Sequence, residues 1–225
     1  MLRKEISMKR ILVLLIILAA IPSSSLAVSW DDIINGVFNN NEYTYEGGKA
    51  TISSDTVLIN GGSIEDFHIN WFEEGFDSQI KAYHFESVSI TGEGCSVTSG
   101  LAGKSVTFDP NTTITAESIW FHSEDSGSLT VNSDASLSGE DIIFVSTSEN
   151  GEISFINNGD ITSGIFHIVS RDSSKITVNQ NGIFTANGEI PEFHISAGDG
   201  VAVDRHVQIV KFKGGQPIAL ENEDV

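Results

Sequence analysis

The stretch Lys104-Ser-Val-Thr-Phe-Asp-Pro-Asn-Thr-Thr-Ile114 places apolar side chains at Val106, Phe108 and Ile114, positions x, x+2 and x+8. The same arrangement returns at Leu129, Val131 and Leu137, at Ile153, Phe155 and Ile161, at Ile176, Val178 and Phe184, and at Val201, Val203 and Ile209. Successive copies are displaced by 23, 24, 23 and 25 residues, and five phase-locked copies mark a structural repeat. A second alternating unit lies between them: Ile119 and Phe121, Ile142 and Phe144, Phe166 and Ile168, and Phe193 and Ile195. Gly, Asn, Asp and Ser separate the units, as in Asn157-Asn-Gly-Asp160 and Asn179-Gln-Asn-Gly182.

A repeat of this length, made of two or three short strands, cannot bury its own inward face. Stacked coils can, because each strand pairs with its copy in the next coil at about 4.8 Å and like side chains form ladders. The pattern therefore predicts an all-β chain, a single-stranded parallel β-helix with coils of about 23–25 residues. Asn and Gly fall at corners, where the backbone leaves β space. A β-sandwich also has closely spaced strands, but it has no need of one phase held through five units. The missing leucine period and the absence of any helical stretch between the repeated strands exclude a leucine-rich solenoid.

Outside the regular copies the pattern loosens. Val57, Ile59 and Ile64, and Tyr83, Phe85 and Ile90, nearly repeat the signature, so residues 48–100 read as degenerate coils. Residues 28–47 predict a short helix capped by Asp31 or Asp32, with Ile33, Ile34, Val37 and Phe38 on its apolar side. Such a helix would close the open end of the solenoid, where a bare strand edge recruits other chains. Lys211 and Lys213, alternating with Phe212, suit an edge-guarding strand at the other end. The expected organisation is a signal peptide at 1–27, an N-terminal cap segment at 28–47, a parallel β-helix domain at 48–215 and an acidic tail at 216–225.

The leader reading rests on Arg3, Lys4, Lys9 and Arg10 ahead of the apolar run Ile11 to Ala20, followed by the small-residue cleavage pattern Ser25-Leu26-Ala27. The run is short for a bilayer span, so the mature chain is expected to hold no stable transmembrane segment. Of 12 Lys plus Arg and 31 Asp plus Glu, the leader holds four bases and one acid, leaving 8 against 30, a net charge of −22. That balance excludes nucleic acid as a partner, since phosphate backbones require a concentrated positive surface. The expected location is secreted, at the cell surface or extracellular, with the periplasm as the alternative. The one cysteine, Cys95, cannot form an intrachain disulfide, so packing and hydrogen bonds must hold the fold.

Chemistry is sparse in the pattern. His68, His122, His167 and His194 each follow a phenylalanine, but none stands at a His-x-His or His-x-x-x-His spacing, so they read as solvent-facing strand residues. The acids concentrate at turns, with neither an EF-hand loop nor a glycine-rich calcium repeat. No cofactor is expected beyond weak, dispersed binding of divalent cations. A lyase needs a base and a cation beside its substrate, and a hydrolase needs converging carboxylates; the scattered bases and corner acids supply neither. No nucleophile elbow surrounds any serine. The single candidate binding surface is aromatic: Trp71, Phe72, Phe76, Tyr83 and Trp120 as a sugar-stacking platform, although such residues in an irregular coil more often serve the core.

Units such as Asn157-Asn-Gly-Asp-Ile-Thr-Ser-Gly164 and Asn181-Gly-Ile-Phe-Thr-Ala-Asn-Gly188, following a secretory leader, resemble the haemagglutinin-type β-helical repeats of bacterial surface adhesins over roughly residues 50–210. Typical members of that group are longer chains with a surface anchor. The resemblance implies a secreted or surface-displayed solenoid that works by adhesion or scaffolding. The function expected is thus non-catalytic: a structural, adhesive or filament-forming component whose partners are itself, end to end, or a cell-surface or extracellular molecule. The alternative is a β-helical enzyme or binding module acting on extracellular polysaccharide.

Overall fold

A computed structural model describes residues 27–72, 76–147, 150–171, 174–186 and 192–197. The expected leader up to residue 26, the repeat copy at Val201, Val203 and Ile209, the Lys211 and Lys213 strand and the acidic tail lie outside the described residues. The chain enters at β1 (Val28–Ser29), turns into α1 (Trp30–Asn40), then runs β2 (Glu42–Tyr45), β3 (Gly48–Ser53) and β4 (Thr56–Gly61) as an antiparallel meander. From β4 onward each coil contributes one short and one long strand. The coils are β4 with β5 (Ser63–Trp71), β6 (Ala82–Glu86) with β7 (Ser89–Ser99), β8 (Lys104–Phe108) with β9 (Thr113–Ser123), β10 (Ser128–Ser133) with β11 (Ser136–Ser146), and β12 (Glu152–Asn157) with β13 (Ile161–Ser170). A sixth coil opens with β14 (Lys175–Gln180), and its long strand continues as two pieces, β15 (Phe184–Ala186) and β16 (Glu192–Ala197), both paired with β13.

All pairings between coils are parallel, giving one sheet of short strands and one of long strands. The chain is a parallel β-solenoid, as the repeat predicts. The long strand does two jobs. In β9 the inward side chains are Ile114 and Ala116, then Ile119 and Phe121, so the alternation slips by one at Glu117. Bridge pairing skips the same position, passing from Ala116 to Ser118 opposite Gly139 and Asp141. Because a strand residue faces in or out by parity, a slip of one marks a corner, and the second sequence unit is the part of the long strand beyond it. Its ladder follows the expected register: Ile119, Ile142, Phe166 and Phe193 align, as do Phe121, Phe144, Ile168 and Ile195.

The first ladder needs one correction. Aligned copies put Val106 beside Leu129 and Phe108 beside Val131, whereas the structure pairs Lys104 with Leu129, Val106 with Val131 and Phe108 with Ser133. The cause is corner length: Asp109-Pro-Asn-Thr112 spans the turn after β8, against Asp134-Ala135 after β10. Two extra residues at the corner shift the short strand by two while Ile114 still pairs with Leu137. From β10 onward the expected register holds, with Leu129, Ile153 and Ile176 in one column and Val131, Phe155 and Val178 in the next. The longer corner is clamped by Asp109, whose carboxylate accepts from the Ser87 and Asn111 amides, both at 3.0 Å, and from the Thr112 hydroxyl at 2.9 Å. In later coils an amide ladder replaces this clamp, Asn158 donating to Asp134 at 2.7 Å and Asn181 to Asn158 at 2.9 Å. At that corner a side chain on Gly182 would collide with the Gly159 carbonyl, which explains the recurring Asn-Gly.

The core has two aromatic centres along the axis. Phe67, Phe85 and Phe108 meet at 5.0–6.1 Å near the first coils, and Phe121, Phe144, Phe155 and Phe166 at 4.9–5.3 Å further on. Helix α1 closes the first-coil end: Trp30, Ile33 and Val37 are buried, and the Trp30 ring lies 5.7 Å from Tyr83 and 6.0 Å from both Phe67 and Phe85. The N-cap is Ser29, in place of the expected Asp31 or Asp32. Its hydroxyl accepts from the Asp32 amide at 3.2 Å and donates to the Asp32 carboxylate at 2.8 Å, a reciprocal pair at the first turn. Asp31 and Asp32 instead favour the positive end of the helix dipole. Strand β3, within the stretch expected to begin the degenerate coils, is antiparallel to both neighbours, so parallel stacking in the short-strand sheet starts at β4.

Candidate functional site

The five aromatic residues expected to form one platform are placed apart. Trp71 and Tyr83 have 0% exposure and meet as tilted rings inside the core at 5.6 Å. Phe76 opens a single 3₁₀ turn, Phe76–Gln79. Phe72 is 36% exposed and lies against Gly100, beyond the end of β5, while Trp120 is 43% exposed on the outer side of β9. Register puts His68 and Ser96 in line with Trp120, so Phe72 and Trp120 are two coils and four residues apart, on the order of 16 Å. Of these five, Trp120 is the one whose ring stands exposed on a strand.

Beside Trp71 the core holds a group that the sequence reading counted among scattered bases. Lys104 is 4% exposed, and its ammonium donates to the carbonyls of Ser78 at 2.8 Å and Ile80 at 2.6 Å, standing 5.7 Å from the Trp71 ring centre. The carbonyl cage and the indole face together replace the water that a buried cation loses. Lys104 therefore ties the segment around the 3₁₀ turn to β8. The misaligned register hid it: Lys104 shares a column with Leu129, Ile153 and Ile176, and no residue pattern announces a lysine at an inward site.

Trp120 stands among outward side chains fixed by the ladder. Ser118 and His122 flank it on β9; Ser96 precedes it on β7 and Ile143 follows it on β11. One coil further are His167 and, on either side, Ile165 and Val169. Ile143 is only 8% exposed although it points away from the core, and Val145, Ile165 and Val169 are half-buried. The outer side of the short strands presents Ser105, Thr107, Thr130, Asn132, Ser154, Thr177 and Asn179 with Ile156 among them, whereas on this face apolar groups stand among Ser96, Ser118, His122 and His167. Acids bracket it. Glu93, Glu117 and Glu140 hold the same corner position in three successive coils, Asp141 follows Glu140, and Glu124 and Asp125 lie past the other end of β9. His122 Nε2 is 4.0 Å from Glu124 and 3.5 Å from the Thr147 hydroxyl, and His68 Nδ1 is 2.9 Å from the Ser96 hydroxyl.

Most other described carboxylates at corners serve the fold. Asp66 accepts from the Gly94 amide at 3.0 Å, Asp160 from the Ile183 amide at 2.9 Å, and Asp109 and Asp134 hold the corners described above. Burial pushes Asp109 up, but the Ser87, Thr112 and Asn111 donors outweigh it and hold its carboxyl below the usual value. Asp55 is paired with Lys81 at 2.8 Å and Glu152 with Lys175 at 3.0 Å. Cys95 is buried, and desolvation pushes its thiol up to about 12, so it stays protonated and unreactive at neutral pH. Among the described residues no group of three or more His, Cys, Asp or Glu is placed to hold a metal ion, and no helix is long and apolar enough to cross a membrane.

Comparison with protein-family models, with curated proteins and with solved structures finds no match to this chain. What it shares with haemagglutinin-type repeats is the parallel β-solenoid itself, a fold those proteins hold in common with others.

Proposed function

We propose that the chain is a secreted, non-catalytic scaffold of a cell surface or extracellular matrix, working by adhesion along the sides of its solenoid. The observation that carries this reading is the division of labour among side chains. Inward columns are filled by apolar groups, one caged lysine and short polar ladders such as Ser133, Asn157 and Gln180, the last two bonded to each other and to the Gly159 carbonyl, while the acids stand at corners, many of them committed to clamping the turns. Glycoside hydrolysis needs two carboxylates facing one bond at about 5–10 Å, and an adjacent pair such as Glu140 and Asp141 lies side by side on the outside of one corner rather than facing across a substrate. Filament growth is the less favoured form of the scaffold, because α1 covers the first-coil end and β2 and β3 complete the short-strand sheet there.

A polysaccharide-binding module is the second reading, supported by the exposed Trp120 indole. The purified chain, incubated with neutral, amino-sugar and uronate polysaccharides, is expected to release no reducing ends and no unsaturated products while remaining an elongated monomer in size-exclusion chromatography with light scattering. Turnover abolished by a single carboxylate substitution such as Glu124→Gln would overturn the scaffold reading.

A further inference from the structure

The exterior of the middle coils carries charge of one sign. Between residues 82 and 147 there are nine acids, Glu86, Glu93, Asp109, Glu117, Glu124, Asp125, Asp134, Glu140 and Asp141, against one lysine, and that lysine, Lys104, is inside the core. No Lys or Arg in this span therefore offsets the field around Trp120. The apolar strip of Trp120, Ile143, Val145, Ile165 and Val169, with His122 and His167 among them, reaches from these coils into the next; Glu117, Glu140 and Asp141 lie at one end, and Glu124 and, past β13, Arg171 at the other. Its extent is roughly 10 Å across the coils and 13 Å along the strands, on the order of 150 Å². That is far below the about 800 Å² that each partner contributes to a stable protein–protein interface, so a second globular copy is a poor fit. At a net charge of −22 without the leader, copies also repel one another.

We propose that this face is a docking site for an extended, basic peptide segment of a partner protein, one that alternates cationic and apolar side chains. An extended peptide has the width of the strip. Laid along β9 and β11, it sets one row of side chains down on Trp120, Ile143 and Val145 and leaves cationic groups to reach the indole face and the carboxylates at either end. A sugar chain would find an aromatic platform here with Ser118 and His122 beside it, but Ile143, Val145, Ile165 and Val169 leave most of the strip aliphatic where a hydroxyl-rich ligand needs donors and acceptors. The proposal goes beyond the scaffold reading and rests on it only in placing the partner on the side of the solenoid.

Three tryptophans are present, and Trp30 and Trp71 are buried, so a change in indole emission on titration reports on Trp120. The probes are a short capped peptide alternating lysine with leucine, a lysine-only peptide of equal charge, a glutamate–leucine peptide and a soluble amino-sugar oligomer. The lysine–leucine peptide is expected to bind most tightly and to weaken as salt rises. Trp120→Ala is expected to weaken it about tenfold, read by calorimetry because the reporter is gone. Glu117→Gln with Glu140→Gln is expected to weaken it and flatten its salt dependence, while Thr115→Ala, an outward residue before the corner, changes nothing. Far-UV circular dichroism verifies that each variant is folded. Equal binding of both lysine peptides, untouched by Trp120→Ala, would reduce the face to diffuse charge. Binding of the oligomer alone would make it a glycan surface, and self-association lost in Trp120→Ala would make the occupant a second copy. Each of these overturns the proposal, and none of them bears on whether the chain is catalytic.

Discussion

Phe155 gives the sharpest test of the coil register. It is 0% exposed, stands between Val131 and Val178 in its column, and meets the rings of Phe121 at 5.3 Å and Phe144 at 4.9 Å. Removing a buried ring of this kind forfeits on the order of 150 Å² of apolar burial, about 4 kcal/mol at 25 cal/mol per Å². Two aromatic contacts add about 1 kcal/mol, so Phe155→Ala should lose about 4–5 kcal/mol, at the upper end for such substitutions. Phe155→Asp adds an unpaired buried carboxylate and should prevent folding outright. The next residue, Ser154, points outward between Thr130 and Thr177, and Ser154→Asp should change stability by under about 1 kcal/mol. Urea unfolding followed by far-UV circular dichroism compares the two. Similar midpoint losses for Ser154→Asp and Phe155→Asp would mean that the strand does not alternate as described, and the ladder argument would fail with it.

Ser29→Ala removes the N-cap of α1 and should cost about 1 kcal/mol, with faster amide exchange in the first turn of the helix and little change in the coils beyond β7. Asp109 has a lowered folded pKa, so its contribution is present above the ordinary value of 3.8 and is lost as pH falls through the folded one. The stability gap between the protein and its Asp109→Ala variant should therefore be full at neutral pH and close below that value; a gap that widens on acidification would reverse the assignment. Cys95, buried and held protonated, should resist a water-soluble alkylating reagent in the folded chain and react once urea passes the unfolding midpoint. Labelling at an equal rate in both states would place Cys95 at the surface.

The fold was legible because a solenoid writes its periodicity along the chain. One inward column, Ile90, Ile114, Leu137, Ile161 and Phe184, recurs with nearly constant spacing and could be read without coordinates. The corners were less legible, since a turn of two or four residues leaves the hydrophobic pattern almost intact while shifting which residues pair. That is how Lys104 escaped notice and how Phe108 came to face Ser133. The cap helix was readable from its apolar spacing, but its N-cap was not, because Ser29 and the two following aspartates are all good caps and only the backbone entry of β1 decides between them. Among the aromatic residues, sequence could not separate Trp71 from Trp120: each lies in an alternating run, and parity relative to a corner buries one and exposes the other.

The stacked corner acids connect stability to binding. Glu93, Glu117 and Glu140 follow one another at the strand spacing of about 4.8 Å, at which two full charges in water repel by about 0.9 kcal/mol per adjacent pair. Each coil buries several apolar side chains worth about 1.5–3 kcal/mol apiece, so the fold tolerates the repulsion easily. The stack nevertheless persists with no lysine or arginine at the same corner, although an exposed cation there would cost nothing in packing. Salt separates the two consequences. Screening relieves repulsion within the stack and so stabilises the fold, while it weakens attraction between the same carboxylates and a cationic partner. Stability and affinity should then move in opposite directions as ionic strength rises, and replacing Glu117 and Glu140 by glutamine should diminish both slopes together. A loss of affinity at high salt that instead tracked a loss of stability would point to unfolding as its cause and leave the acidic corner without a role in binding.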